Sequence, residues 1–177
     1  MVALIASVFG AVPYAGVNLA GGDFGNPQPG RQMVYEGDFT YPTDAEFGYC
    51  SQKGVNVVRI GCHWEVLQPK LDEPLDPTEF KRYADVVKGA VRRGLTVLID
   101  PHNYDRYEGQ AVGSDAVPKS AFAEFWRRLA SEFKRGEEGI RTPGPFLVNG
   151  FQDRRNRPLC HLSAAMIVTD LAAVTST

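Results

Sequence analysis

The sequence predicts an α/β fold in which parallel strands alternate with helices. Three short apolar runs rich in β-branched residues have the length and composition of buried strands. They span residues 14–19, 55–60 and 95–99. Their central residues Val17, Val57 and Val97 follow one another at a constant interval of 40 residues, which leaves room for one helix and one loop between strands. This regular alternation is typical of βαβ units.

Local capping signals predict one helix before the second strand and another before the third. Thr43 and Glu46 have the spacing of a capping box, in which each side chain bonds to the backbone of the other residue. Asp76 and Pro77 predict the start of the second helix, because Asp caps free amide groups and proline is tolerated at the first helical position. A glycine that suits a left-handed helix end follows each predicted helix.

Apolar residues recur at helical spacing in the second helix and in a third helix that follows the third strand. In the second helix they are Phe80, Tyr83, Ala84, Val87, Ala90 and Val91. In the third helix they are Phe122, Phe125, Trp126, Leu129 and Phe133. We interpret both stripes as contacts with the core of the domain, and Glu124 with Arg128 as an i,i+4 ion pair on the other face.

Two architectures join parallel strands through helices: an open doubly wound sheet and a closed (β/α)₈ barrel. Periodicity does not distinguish them. The segments that follow the strands, at 20–42, 61–75 and 100–117, are long and polar, whereas the turns that precede the strands are minimal. Both architectures build their functional site from loops at the carboxyl ends of the strands, so we expect the site there.

Composition excludes several classes of partner and cofactor. With 19 Lys and Arg against 21 Asp and Glu, the chain offers no electrostatic surface for nucleic acid or an anionic membrane. The glycines at 21, 22 and 25 do not form a dinucleotide fingerprint. Cys62 with His63 and Cys160 with His161 lack the short spacing of zinc ligands, so we predict neither a metal nor a cofactor.

Polar side chains stand at the carboxyl ends of the second and third strands. Arg59 lies near the end of the second strand, and Asp100 and His102 share one face of the third if the chain stays extended. A charge in a buried strand must be paired or functional. Two interpretations remain open here, an internal Arg–Asp pair that ties the strands together and a substrate site.

Aromatic residues accompany these polar groups in the same loops. Trp64 lies next to Glu65, and Tyr104 and Tyr107 follow the third strand. An aromatic platform beside hydrogen-bonding groups suits a sugar, whose ring has an apolar face and a rim of hydroxyl groups.

Several motifs, in order, resemble the amino-terminal half of a family 5 glycoside hydrolase of the endoglucanase type. They are Gly16-Val-Asn-Leu-Ala-Gly-Gly-Asp-Phe-Gly25, Tyr41-Pro-Thr43, Val57-Val-Arg-Ile60, Trp64-Glu-Val-Leu-Gln-Pro69, Asp100-Pro-His-Asn-Tyr104 and Phe125-Trp126. The resemblance implies a (β/α)₈ barrel that hydrolyses β-1,4-glucan with retention of configuration. It assigns Arg59 to support of the nucleophile and His102 to the substrate cleft, with Asn103 and Tyr104 as further cleft residues. Trp64, from the aromatic platform, completes the predicted substrate-binding residues.

The chain departs from the family at the catalytic carboxylates. Retaining glycosidases use two carboxyl groups about 5–5.5 Å apart, and in this family the acid/base glutamate directly follows an asparagine. The sequence contains no Asn-Glu dipeptide, and its length leaves no place for the seventh strand that carries the nucleophile. We therefore expect this chain to lack both catalytic glutamates and to be inactive alone, with Glu65 and Asp100 serving to neutralise Arg59 or to order their loops.

The resemblance divides the chain into three parts. Residues 13–135 are the partial barrel of about three βα units, whose expected partner is a β-glucan. Residues 1–12 are apolar and are compatible either with the remnant of a secretory signal, hence a secreted protein, or with the start of the domain. We interpret residues 136–177 as a non-family tail from a frame change or a chimeric gene end. A non-catalytic carbohydrate-binding relict and an unrelated small α/β domain remain as alternatives.

Overall fold

A computed structural model of the chain describes residues 14–135 and 166–168. Over these residues the chain forms a four-stranded sheet, a two-stranded hairpin and four helices. The strands are β1 (Gly16–Leu19), β2 (Val57–Cys62), β3 (Thr96–Pro101), β4 (Arg106–Tyr107), β5 (Gln110–Ala111) and β6 (Met166–Val168). The helices are α1 (Asp44–Gln52), α2 (Trp64–Leu67), α3 (Pro77–Arg92) and α4 (Lys119–Arg135).

The first three strands are parallel neighbours, as the spacing predicts. β1 pairs with β2 and β2 pairs with β3, with α1 and α3 in the two connections. The register places Asn18 beside Arg59, and Gly61 beside Asp100. The βαβ prediction is therefore confirmed, and the polar residues of three strands meet at the carboxyl edge of the sheet.

The far edge of β3 carries an antiparallel strand. β6 pairs with β3 through the register of Val97 with Val168 and of Ile99 with Met166. Three parallel strands alone would leave both edges of the sheet open, whereas here β6 covers the outer edge of β3. The apolar segment 162–174 suits either a helix or a strand by sequence; its described residues 166–168 are strand. The other residues of that segment, the residues rich in glycine and proline at 136–145, and residues 1–12 lie outside the described part of the chain.

The helix boundaries follow the predicted caps. Thr43 and Glu46 form the full capping box at the start of α1. The Asp76 carboxylate accepts two backbone amides at 2.9 Å at the start of α3, where Pro77 is the first residue. Both helices are followed by a glycine with positive φ, Gly54 and Gly94. These confirmed predictions all depend on contacts within a few residues.

Two elements are not apparent in the sequence. The single turn α2 directly follows β2, and the hairpin of β4 and β5 lies in the segment after β3 that we predicted as an irregular polar loop. Its two central residues, Glu108 and Gly109, both have positive φ, as in a type I′ turn. Asn-Gly and Asp-Gly are the usual sequences for that turn, which explains why Glu-Gly gives a weak signal.

The core lies between the sheet and the helices, and it leaves β1 exposed. Val58, Ile60, Val97 and Ile99 are fully buried on the helix-facing side of β2 and β3. By contrast Val17 is 41% exposed, so the prediction of a buried first strand is wrong. Among the described residues β1 has a paired neighbour on one edge only, so its apolar side chains are incompletely covered.

Tyr83 of α3 links the helix layer to the sheet. Its side chain is fully buried and its hydroxyl donates to the backbone carbonyl of Ile60 at 2.8 Å. Burial raises the pKa of Tyr83 well above its ordinary value, so the hydroxyl keeps its proton.

Removing this hydroxyl will destabilise the chain. We expect Tyr83→Phe to lower the free energy of unfolding by about 1 kcal/mol, because a buried carbonyl loses a hydrogen-bond donor. Urea titration followed by circular dichroism measures this difference. Tyr49→Phe is the matched control, since Tyr49 is 63% exposed; an equal loss in both variants would contradict the assignment.

Candidate active-site cleft

Four polar side chains from three strands converge at the carboxyl edge of the sheet. The Arg59 guanidinium donates to Asn18 Oδ1 at 2.8 Å and bonds to Asp100 Oδ2. Its Nη2 also lies 2.6 Å from His102 Nδ1. The structure thus brings Arg59, Asp100 and His102 together as the alternation of the strands predicts, and it adds Asn18. The separation of 41 residues from Asn18 to Arg59, repeated from Arg59 to Asp100, is a sequence signal that points to this cluster.

Asp100 supplies the buried negative charge of the cluster. Its side chain is 1% exposed, whereas that of Arg59 is 26% exposed. Oδ2 contacts both Arg59 and His102, and Oδ1 is buried without a hydrogen-bond partner among the described residues. A carboxylate so removed from water requires a cation, which Arg59 supplies.

His102 lies against both charged members of the cluster. Its Nδ1 is 2.6 Å from Arg59 Nη2 and 3.1 Å from Asp100 Oδ2. The side chain of His102 is 24% exposed. The cluster therefore contacts the imidazole at Nδ1 and leaves part of the ring accessible to solvent.

Asp23, in the loop after β1, lies near the same arginine. Its Oδ2 is 4.0 Å from Arg59 Nη1, and its Oδ1 accepts the backbone amide of Gly21 at 2.9 Å. A Cβ at Gly61 of β2 would lie 2.8 Å from the Asp23 side chain. Only glycine at this position allows the carboxylate to approach the strand.

Glu65 joins the loop after β2 to the loop after β3. Its Oε1 accepts the backbone amide of Glu108 at 2.7 Å, and its Oε2 bonds to Asn103 Nδ2. Asn103 Oδ1 in turn accepts the backbone amide of Trp64 at 2.8 Å. Glu65 thus orders its loops, one of the two functions that the sequence predicts for it. Both the oxygen and the nitrogen of the Asn103 amide are bonded to other groups of the protein. The structure thus places this predicted substrate-binding residue in a contact between two segments of the chain.

Trp64 is a core residue, and its prediction as an exposed sugar platform is wrong. Its side chain is 1% exposed and packs against Phe122, Phe125 and Tyr107 at centroid distances of 4.9–5.4 Å. Its indole nitrogen donates to Gln68 at 2.7 Å. Helix α4 covers the ring, a long-range contact that neighbouring residues in the sequence do not reveal. Tyr107, which we also expected in the sugar platform, is buried too.

Tyr104 is the exposed aromatic side chain beside the cluster. It is 65% exposed, and its ring meets that of His102 edge to face at a centroid distance of 4.6 Å. Its φ of 50° places it in the left-handed region. The predicted residues therefore divide into an accessible pair, His102 and Tyr104, and a buried support.

The described residues contain no group of three His, Cys, Asp and Glu side chains that could hold a metal ion. Burial raises the pKa of the Cys62 thiol to about 12, and His63 bonds through Nε2 to the carbonyl of Phe24 at 2.8 Å. Cys160 and His161 lie outside the described residues. Within the same part of the chain no helix is long and apolar enough to cross a bilayer.

Comparison with known proteins identifies the family of this polar cleft. The model of the cellulase family (glycosyl hydrolase family 5) matches residues 17–140. The chain belongs to this family. The resemblance seen in the sequence is confirmed, and the described sheet and helices are a partial (β/α)₈ barrel.

Relatives of this cellulase-family chain are considerably longer. Endo-beta-1,4-glucanase A of Emericella nidulans is 32% identical over 138 residues, which are 77% of this chain and 40% of that protein. The structure of XacCel5A in complex with cellopentaose is 37% identical with a TM-score of 0.63, covering 70% of this chain and 39% of that one. Cel5A of Pseudomonas stutzeri in complex with cellobiose is 34% identical with a TM-score of 0.62, covering 67% and 36%. The chain thus spans about two fifths of the length of these relatives.

Neutralising Asp100 will destabilise the fold more than neutralising a surface carboxylate. We expect Asp100→Asn to lower the free energy of unfolding by about 2 kcal/mol, because Arg59 loses its buried counter-charge while keeping partial access to water. Urea titration provides the measurement. Asp85→Asn is the control, since Asp85 pairs with Lys81 on the surface and their side chains are 55% and 76% exposed. The interpretation fails if the two variants lose equal stability.

Proposed function

We propose that this chain provides the β-glucan-binding half of an endo-β-1,4-glucanase cleft, with Arg59, His102 and Tyr104 as the residues nearest to the sugar. The observation that carries the proposal is the edge-to-face pair of His102 and Tyr104 over the polar cluster, 4.6 Å between centroids. An exposed ring offers an apolar face to a glucose unit, and the imidazole is a hydrogen-bonding partner for a hydroxyl group. Relatives bound to cellopentaose and cellobiose support a β-glucan as the ligand.

The electrostatics of the cluster also suit a glycosidase cleft. Arg59 is held by Asn18 and Asp100 on neighbouring strands, so its guanidinium is fixed at the carboxyl edge of the sheet. A fixed positive group there would favour the ionised form of a carboxylate nucleophile placed beside it. This is the supporting function that we propose for Arg59.

We propose that, among the described residues, neither Asp100 nor Glu65 serves as a catalytic carboxylate. The sequence has no Asn-Glu dipeptide, Asp100 is 1% exposed, and Glu65 is engaged through both oxygens. Retaining hydrolysis requires one carboxyl group as acid/base and another as nucleophile, both facing the glycosidic bond. We therefore propose that the 177-residue chain binds β-glucan weakly and does not cleave it.

We also propose that the protein acts outside the cell. A polymeric glucan does not cross membranes, so a protein that binds it must meet it where it is deposited. Residues 1–12 are apolar, which is compatible with part of a secretory signal. Expression in a secreting host with analysis of the medium would test this proposal, and retention of the whole chain within the cells would count against it.

Binding of cellopentaose will test the function. We expect heat of binding in titration calorimetry at millimolar sugar, and a dissociation constant raised about threefold to tenfold in Tyr104→Ala because the aromatic face is lost. Tyr14→Ala is the matched control, as Tyr14 is 64% exposed but precedes β1 at the opposite end of the sheet. Maltopentaose, with α-1,4 linkages, serves as the control ligand.

Two results would contradict the proposal. The absence of heat with cellopentaose would exclude glucan binding and favour an unrelated α/β function. Release of reducing sugar from carboxymethyl cellulose by the purified chain, abolished by Glu65→Gln, would show that the chain is itself a catalyst. Binding without hydrolysis is the expected result.

A further inference from the structure

The loop between β3 and α4 adopts an unfavourable backbone conformation at three residues that are not glycine. Tyr104, Asp105 and Glu108 have φ values of 50°, 56° and 47°. Such residues lie in the left-handed region, which costs free energy for any side chain with a Cβ and persists where surrounding contacts impose it. The contacts that impose this conformation therefore control where the Tyr104 ring lies.

Glu65 makes two of these contacts from α2, the helical turn after β2. Its Oε1 accepts the amide of Glu108 at 2.7 Å, and its Oε2 accepts from Asn103 Nδ2. Asn103 stands between His102 and Tyr104 in the sequence, and its Oδ1 accepts the amide of Trp64 at 2.8 Å. The carboxylate thus holds the loop on both sides of the exposed tyrosine.

We propose that Glu65 is a positioning residue for the sugar-binding surface, holding the loop so that the Tyr104 ring lies against His102. The effect on sugar binding rests on the proposed function, since that function assigns the ring pair to sugar contact. The position of the two rings in the free protein does not depend on it.

The hydrogen bonds have a fixed direction that makes the inference testable. Glu65 accepts at both oxygens, and Asn103 donates to Glu65 while it accepts from Trp64. A glutamine at position 65 has one acceptor oxygen and one NH₂ group. If its oxygen accepts the amide of Glu108, its NH₂ group opposes the NH₂ group of Asn103. A second change, Asn103→Asp, restores every bond, because the new carboxylate at position 103 accepts both from the glutamine NH₂ group and from the amide of Trp64.

The experiment compares Glu65→Gln, the double variant Glu65→Gln/Asn103→Asp and the control Glu108→Gln by NMR of the full chain. Glu108 contributes its backbone amide to the contact, so the control removes a neighbouring negative charge and keeps the hydrogen bond. The readout is the nuclear Overhauser contact between the His102 and Tyr104 rings. We expect Glu65→Gln to lose at least half of its intensity, with the contact intact in the control and restored in the double variant.

Sugar affinity is the second readout. We expect Glu65→Gln to weaken cellopentaose binding about tenfold, which corresponds to one lost charge-assisted hydrogen bond, and the double variant to recover it.

A wild-type chain that binds no sugar disproves the proposed function, and the ring contact alone then tests whether Glu65 positions Tyr104. An unchanged ring contact in Glu65→Gln, or a double variant no better than the single one, overturns the inference. If Glu65→Gln does not fold, a folded double variant with the native ring contact supports it and one without that contact overturns it.

Discussion

The ion pair between Arg59 and Asp100 is the interaction on which the rest of the cleft depends. A carboxylate that is 1% exposed cannot stay charged without a cation, and Arg59 reaches it from the neighbouring strand. Once the guanidinium is held there, its other donors reach Asn18 on β1 and the imidazole of His102. One buried charge thereby ties the carboxyl ends of three parallel strands to a common geometry, and it contacts the imidazole that faces the cleft.

The loops above this pair are held in a different way. The backbone of the segment after β3 is strained, and the bonds that maintain it come from the segment after β2: the Glu65 carboxylate, the amide of Trp64 and the carbonyl of Gln68, which accepts the Tyr107 hydroxyl at 2.8 Å. Trp64 anchors that segment by packing beneath α4. The cleft therefore combines the ion pair of Arg59 and Asp100 with a segment after β3 whose conformation depends on contacts with α2 and the core.

Sequence reasoning succeeded where the cause is local or periodic. The capping box of Thr43 and Glu46, the Asp76 cap and the stripe of α4 each depend on residues within a few positions of one another, and alternation along the strands was enough to group Arg59 with Asp100. It failed where burial depends on distant partners: Trp64 is covered by a helix about 60 residues further along the chain, and Val17 lies on a strand with one paired edge among the described residues. The Glu108-Gly109 turn was missed because Glu-Gly is a weak turn signal and because one of the bonds that hold it comes from a distant carboxylate, that of Glu65.

The antiparallel strand β6 has a consequence for how this sheet can grow. In a closed (β/α)₈ barrel every strand has two parallel neighbours, yet here Met166–Val168 occupies the backbone donors and acceptors on the outer edge of β3. A second polypeptide could supply further barrel strands to this sheet. Its first strand would have to compete with β6 for the hydrogen bonds on the outer edge of β3. The short strand thus covers an edge that would otherwise pair with other strands, and any complementation that rebuilds the full cleft has to displace it first.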